Sequence, residues 1–207
     1  MRNALRALAL ALVLSFASAA HVFAATYTVD PNHSSVGFTV RHFFSKVPGS
    51  FKKFSGTIVY DPAKPAEASV KAEIDPASIY TNNEKRDGHL RSEDFFFVEK
   101  HPTLTFESTK VTPAGENKLK VDGNLTMRGV TKPVTLDVTY LGSGSAGNGV
   151  KAGFEAITKV NRKDFGINWN RTLDQGGAML SDDVEIRLDI EADEKTEAKA
   201  EAPAAKK

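Results

Sequence analysis

Apolar and polar side chains alternate strictly along eight segments of the chain. The alternating segments lie at 35–41, 54–60, 68–74, 103–107, 119–127, 134–140, 150–156 and 184–190. Because successive side chains of a β-strand point to opposite sides, strict alternation is typical of a strand with one buried and one solvated face. The pattern therefore predicts eight such strands.

Short turn sequences separate these segments, and they indicate how the strands are arranged. Turn residues occur at Asp61-Pro62, at 113–115, at 129–133 and at 142–149. Short connections favour antiparallel neighbours, since parallel strands need long crossovers. Eight one-sided strands can bury their apolar faces as a closed barrel or as a sandwich, and the alternation alone fits both.

The segment 81–100 interrupts the alternation. Asp87, Leu90, Arg91 and Asp94 have the spacing of one helical face, and three phenylalanines follow at 95–97. This predicts a short helical insertion that caps one end of the fold. A second irregular stretch, 162–178, contains the only tryptophan, Trp169.

Several small residues stand at positions expected to face inward. They are Gly56, Ala68, Ala72, Gly123, Ala152 and Ala156. An eight-stranded barrel has room for packed side chains or for one slim ligand. Small inward residues either leave a cavity for an apolar guest or fit the taper of a filled core, and the pattern is compatible with both.

The two ends of the chain differ from the middle. Arg2 and Arg6, an apolar run at 7–16 and the small-residue site Val22-Phe23-Ala24 predict a signal peptide over 1–24 and export to a bacterial periplasm. The apolar run is too short to cross a bilayer comfortably. We expect one folded domain at 25–191 and a disordered, charged tail rich in Ala, Lys and Glu at 192–207.

Composition excludes several function classes. The chain has no cysteine, which excludes disulfides, thiolate metal sites and cysteine nucleophiles. Its formal net charge is +1, and subtracting Arg2 and Arg6 leaves −1 for the exported part. Basic and acidic residues are interspersed, so no basic stripe points to nucleic acid.

Six segments resemble a known family. They are DPNHSSVGFTVRH, FKKFSGTIVYD, RDGHLRSEDFF, HPTLTFES, VDGNLTMRGVTKPV and NRKDFGINWN, and they span most of 26–190 in order. These segments are similar to those of the YceI-like periplasmic polyisoprenoid-binding proteins. The resemblance implies an all-β, eight-stranded antiparallel lipocalin-like barrel. It also implies binding of isoprenoid quinones or polyprenyl phosphates, with fatty amides in some members, and no catalytic activity.

On this basis we expect the inward apolar residues to line a lipid site. They are Phe38, Val40, Phe54, Ile58, Val70, Ile74, Ile79, Leu104, Phe106, Leu125, Val138, Phe154, Phe165 and Trp169. His42, Arg86 and His89 are candidates for a phosphate or quinone headgroup, because Arg and His donate hydrogen bonds to oxygen. The alternative for the polar residues is structural: Arg86 would pair with Asp94, and Arg162 with Asp164.

The expected function is periplasmic binding, storage or transport of a long isoprenoid lipid, without a cofactor or a catalytic residue. Transient membrane contact fits such a role, and an exposed strand edge or the Phe43-Phe44 pair offers a surface for a homodimer. Two alternatives stay open. One is a stress-related structural or interaction protein with a filled barrel. The other is a metal-dependent enzyme using His33, His42, His89 and Asp94, although their spacing matches no known metal signature.

Overall fold

The alternating segments form β-strands in the computed structural model, which describes residues 24–147, 149–172 and 178–195. Eleven strands and one α-helix lie in these residues. The strands are β1 Ala25–Val29, β2 Ser35–His42, β3 Ser45–Phe51, β4 Phe54–Tyr60, β5 Ser69–Ile74, β6 Ile79–Tyr80, β7 Leu104–Pro113, β8 Lys118–Met127, β9 Val130–Ala146, β10 Gly149–Asn161 and β11 Leu180–Glu194; the helix is α1 Glu84–Arg91.

Eight of these strands close into an antiparallel barrel. The order around the wall is β1-β4-β5-β7-β8-β9-β10-β11, and β11 pairs again with β1, with Tyr27 opposite Glu194. Closure removes the free edges that an open sheet would expose. The predicted eight-stranded barrel is thereby confirmed, and the sandwich alternative is wrong.

The remaining strands continue the wall past three breaks. β2 follows β1 after 30–34, β3 precedes β4 across 52–53, and β6 follows β5 after 75–78. The first half of β11 pairs with β2 and its last residues pair with β1. Two of the breaks are tied together, because the Ser78 hydroxyl oxygen accepts hydrogen bonds from the Lys52 and Lys53 amides at 3.1 and 2.9 Å.

One end of the barrel is filled by aromatic rings. Tyr60, Tyr140 and Phe154 pack together with ring centroids 4.7 to 5.5 Å apart, and the buried Tyr27 belongs to the same core cluster. We call these four residues the aromatic plug. Burial is the main reason why the pKa values of Tyr27 and Tyr60 lie above the ordinary tyrosine value.

Helix α1 lies beyond β6 and confirms the short helical insertion. The Asn83 side chain caps it by accepting a hydrogen bond from the Arg86 amide at 3.0 Å. The buried Asp87 accepts one from the Thr81 amide at 2.9 Å, which fixes the helix to the end of β6. The helix ends at Arg91, so Asp94 lies outside the predicted helical face.

The boundaries of the folded domain differ slightly from the prediction. β11 continues to Glu194, and Ala192 is fully buried opposite Ala152, so placing 192–194 in a disordered tail was wrong. The small Ala192 side chain fits this buried position. Lys195, also placed in the tail, donates from its amide to the Thr26 carbonyl at 2.7 Å. The signal-peptide prediction at 1–24, except for Ala24, and the tail prediction at 196–207 fall outside the described residues. No helix within the described ranges is both long and apolar enough to cross a bilayer.

Candidate functional site

A cavity of about 600 Å³ occupies the barrel between the aromatic plug and the turn that joins β2 to β3. Its size is within the range of small-molecule sites, about 300–1,000 Å³. Side chains from nearly every strand line it, and most are aliphatic or aromatic. Such a wall suits an apolar guest, because it offers few hydrogen-bonding partners to water.

The lining residues nearest the β2–β3 turn and α1 are mostly polar, and from them we infer that the cavity opens at this end. Ser45, at the start of β3, and Arg86, on α1, are both exposed to solvent and both line the cavity. The opposite end is filled by the aromatic plug. The cavity is therefore a pocket with an identifiable opening in the described part of the barrel.

The small inward residues serve two purposes. Gly56 and Ala72 line the cavity, whereas Ala152 and Ala156 are buried in the core cluster of the plug and Ala68 packs partly buried against it. A Cβ on Gly123 would lie 2.4 Å from the Phe106 ring, so this glycine makes room for a ring. Near the plug, the small residues fit a filled core. Along the cavity, Gly56 and Ala72 leave space instead.

Ten of the fourteen residues predicted to line a lipid site do line the cavity. They are Phe38, Val40, Phe54, Ile58, Val70, Ile74, Leu104, Phe106, Leu125 and Trp169. Their contact with a ligand stays a prediction. The prediction left out further lining residues. Those in strands include Val36, Val47, Phe51, Met127, Leu136, Val160, Ile186, Leu188 and Ile190, and those outside strands include Leu90, Phe95, Phe96, Ile167 and Met179. The inward positions of the alternating segments would have identified most of the strand residues, whereas alternation gives no signal for those outside strands.

The other four predicted lining residues lie elsewhere, which corrects the prediction. Phe154 is part of the plug, and Val138 packs against the same cluster. Ile79 is buried in a cluster with Val36 and Phe51 but does not itself line the cavity. Phe165 is buried in a second cluster that contains Phe95 and Met127. The alternation identifies the inward face of a strand, but it does not give the depth of a residue along the barrel axis.

The three headgroup candidates His42, Arg86 and His89 all line the cavity. His42 ends β2 directly opposite Ser45. Arg86 donates from Nε to the Thr81 hydroxyl at 2.7 Å and from Nη2 to the Thr81 carbonyl at 2.6 Å. Thr81 therefore fixes the guanidinium at the opening.

The ion pairs that we expected for the polar residues are different in the structure. Asp94 is paired with His89, at 2.8 Å, and the His89 ring also packs edge-on against Trp169 with centroids 5.0 Å apart. The predicted Arg86–Asp94 pair is therefore wrong, because Arg86 is bound to Thr81.

Arg162 organises the irregular segment beside the cavity. Only 4% exposed, it donates to the carbonyls of Ile167 and Trp169 at 2.8 and 2.7 Å and forms an ion pair with Asp182 at 3.3 Å. The predicted Arg162–Asp164 pair is wrong, because β11 brings Asp182 to the guanidinium instead. Burial lowers the pKa of Arg162, and the nearby Asp182 carboxylate opposes this shift.

A group of potential metal ligands lies at the break between β1 and β2. Asp30, His33 and Glu191 approach one another there. The ammonium of Lys151 already lies 3.2 Å from Asp30 and 2.9 Å from Glu191. The hydrogen bond between His33 and Asp30, 2.7 Å long, is the main cause of a lowered Asp30 pKa and a raised His33 pKa. These charges form a salt-bridge network that joins the break to β10 and β11.

Comparison with known proteins places the chain in a family. The family model described as YceI-like domain matches residues 27–192. A UPF0312 protein of Azotobacter vinelandii is 40% identical over 187 residues, covering 88% of this chain and 94% of that protein. The crystal structure of Burkholderia cenocepacia BcnA has 31% identity and a TM-score of 0.70 and covers 79% of this chain and 98% of its own.

A more distant structure shares the fold. It is a polyisoprenoid binding domain from Saccharophagus degradans, implicated in plant cell wall breakdown, with 16% identity and a TM-score of 0.61; the match covers 83% of this chain and 99% of that one. The family match covers residues 27–192, and the alignment with the A. vinelandii relative covers 88% of the chain. The chain belongs to the YceI-like family.

Proposed function

We propose that this protein binds one long isoprenoid lipid in its barrel and carries or stores it in the periplasm. The observation that carries the proposal is the apolar cavity of about 600 Å³, which is open at α1 and the β2–β3 turn. The polyisoprenoid binding domain of S. degradans, which has the same fold, supports the choice of ligand class. The predicted signal peptide supports the periplasmic location.

The energetics suit a carrier better than a trap. Burying a chain of about forty carbons from water is worth roughly 30 kcal/mol at ~0.8 kcal/mol per methylene. That value exceeds the practical limit of noncovalent affinity, roughly 20 kcal/mol. The relevant exchange is instead with a bilayer, where the lipid is already surrounded by hydrocarbon. Transfer into the cavity is then nearly neutral, so the lipid both enters and leaves.

For the headgroup we propose His42, Arg86 and His89 at the cavity opening. Thr81 holds the Arg86 guanidinium there by two hydrogen bonds, and a fixed cation favours phosphate over a neutral quinone oxygen. Arg86→Gln should therefore weaken binding of a polyprenyl phosphate by roughly tenfold and change quinone binding less. Equal loss for both ligands would contradict a headgroup role.

The proposal is tested by identifying what the protein holds after expression in bacteria. Native mass spectrometry and solvent extraction should detect an isoprenoid with the wild type. Ala72→Phe places a ring in the cavity and should reduce the amount of extracted lipid. The control Ala66→Phe changes an exposed residue in the short 3-10 helix Pro65–Glu67 before β5 and should leave that amount unchanged. Adding isoprenoid to delipidated protein should also raise its melting temperature by mass action. Wild-type protein without lipid and without this rise would refute the proposal.

The two alternatives have less support. A barrel filled by its own side chains does not fit a cavity of this volume. A metal centre at Asp30, His33 and Glu191 would have to displace Lys151, whose ammonium lies 2.9 Å from Glu191. Bound metal in stoichiometric amount after dialysis would revive the enzyme alternative.

A further inference from the structure

Two aromatic side chains project into solvent at the turn between β2 and β3. Phe44 is 90% exposed and Phe43 is 42% exposed. Their rings contact each other edge to face, with centroids 5.2 Å apart. Single exposed apolar residues are common, but adjacent exposed phenylalanines at a turn form a small apolar patch that water solvates poorly. We call residues 43 and 44 the aromatic tip.

The backbone holds the aromatic tip in place. Phe43 has a φ of 57°, a left-handed conformation in which tight hairpins usually carry Asn, Asp or Gly. The Phe43 amide donates to the Met179 carbonyl at 2.9 Å, and the Ser45 hydroxyl donates to the His42 carbonyl at 3.2 Å. A phenylalanine in such a fixed and unfavourable conformation indicates a role for the exposed ring rather than for the turn.

The aromatic tip stands at the opening of the cavity. The residues on either side of it, His42 and Ser45, pair across β2 and β3 and both line the cavity. Phe44 itself does not line it. Whatever surface contacts the tip is therefore next to the entrance.

The wall around the tip carries basic side chains and two carboxylates, Glu185 and Asp182. Asp182 lines a pocket with Arg41 and Phe43, but it is paired with Arg162 at 3.3 Å and Lys163 at 2.9 Å. Arg41 and Lys46 lie directly opposite each other on β2 and β3, an arrangement of like charges that costs stability in a sheet. Lys159 on β10 lies opposite Glu185. Glu185 also pairs with Lys46 at 3.0 Å, and the three cations together lower its pKa. One carboxylate thus faces three basic side chains.

We propose that the aromatic tip inserts into the surface of a lipid bilayer with anionic headgroups. This insertion would hold the cavity opening against the membrane surface. Aromatic rings and basic side chains are the pair of features that interfacial anchors combine. The inference rests on the proposed function, since it gives the cavity its source of lipid. A stable dimer through the same tip fits less well. Two phenylalanines cover at most about 500 Å², against about 800 Å² that each partner buries in a standard interface.

The test is sedimentation of the full exported protein with vesicles of phosphatidylcholine and phosphatidylglycerol. Phe44→Ser should weaken vesicle binding by about tenfold or more, because a nearly fully exposed ring loses its burial in lipid. Leu141→Ser is the matched control: Leu141 is 60% exposed but follows Tyr140 of the aromatic plug at the other end. It should bind like the wild type.

Charge and oligomeric state provide the second part of the test. Arg41→Gln combined with Lys46→Gln should reduce binding to the anionic vesicles by roughly fivefold per charge and leave binding to pure phosphatidylcholine unchanged. Unchanged vesicle binding of Phe44→Ser would overturn the inference. So would a wild-type dimer that Phe44→Ser converts to a monomer, since the tip would then be a protein interface.

Loading from detergent micelles separates this inference from the proposed function. If the wild type takes up isoprenoid from micelles but does not bind vesicles, the docking surface is wrong and the lipid-binding function stands. If it binds vesicles through Phe44 but takes up no isoprenoid, the docking surface stands and the proposed ligand is wrong. The expected result is vesicle binding that Phe44→Ser removes, with loading from micelles unchanged.

Discussion

Two glycines that lie beneath phenylalanine rings should respond very differently to the same substitution. A Cβ on Gly49 would lie 2.2 to 2.8 Å from three atoms of the Phe38 ring, and from no backbone atom at such a distance. A Cβ on Gly123 would lie 2.4 Å from the Phe106 ring and also 2.7 Å from the Glu107 carbonyl oxygen. The methyl group added in Gly49→Ala therefore meets a side chain that can move, whereas the one added in Gly123→Ala also meets a backbone oxygen that cannot.

The magnitudes follow from what can move. Phe38 lines the cavity, so its ring can rotate into free volume at a rotamer cost of about 0.5–1.5 kcal/mol. Replacing glycine by alanine lowers the conformational entropy of the unfolded chain, which stabilises the folded protein by about 0.4–1 kcal/mol. Gly49→Ala should therefore stay within about 1 kcal/mol of the wild type. The Glu107 carbonyl belongs to the β7–β8 pairing, so Gly123→Ala should cost about 1–3 kcal/mol.

The assay is urea unfolding of delipidated protein, followed by thermal melting. A difference of about 2 kcal/mol corresponds to roughly 4–8 °C in Tm for a domain of this size. Gly49→Ala should also hold less lipid, because the displaced Phe38 ring occupies part of the cavity. Equal destabilisation by the two substitutions would show that Phe38 has no free volume to enter, and the open-cavity reasoning would fail.

Three further substitutions test other parts of the structure. Phe154→Ala removes a ring of the aromatic plug and should destabilise the protein by about 3–5 kcal/mol in urea unfolding, as for other large core deletions; a cost below about 1 kcal/mol would contradict tight packing there. Arg162→Met leaves the carbonyl oxygens of Ser181, Ile167 and Trp169 without their donor and should cost about 3 kcal/mol, with a shift in the fluorescence of Trp169; an unshifted spectrum would contradict its role in holding this segment. The pKa of His33 is raised above 6.5 by Asp30 and Glu191, with Lys151 acting against them, so its stabilising effect is present below pH 6.5 and is lost as pH rises through the folded-state pKa. Unfolding measured across this pH range should show a fall that His33→Gln lacks, and identical profiles would refute the assignment.

The alternation predicted eight of the eleven strands and their inward faces, because both depend on local geometry. It missed β1, β3 and the two-residue β6, which lie outside the eight alternating segments. Period two placed Phe38, Val40 and Phe54 on the inward face, and all three line the cavity. The cavity itself was expected only from the family resemblance, since the pattern also fits a filled core. Depth along the barrel depends on how strands are staggered against each other, which the pattern does not encode. For this reason the plug residue Phe154 could not be distinguished from a cavity residue such as Phe106.

The sequence also did not identify ion-pair partners that are distant along the chain. Arg162 was matched with Asp164 because the two are near in the chain, but the register of β10 and β11 brings Asp182 to it instead. The alternation also could not show that β1, β3 and β6 continue the wall beside β2, β4 and β5 across three breaks.

The pairing of β11 has a consequence for how the chain acquires its structure. Leu180–Glu194 is the last strand of the described residues, and it supplies the partner for both β1 and β2 near the other end of the sequence. Contacts so distant in sequence slow folding, since a long loop must close before they form. Until β11 has been synthesised and has paired, the backbone N–H and C=O groups of β2 and β10 that face it can form hydrogen bonds with other chains. The nascent protein is therefore most prone to aggregation in the interval before its final strand arrives.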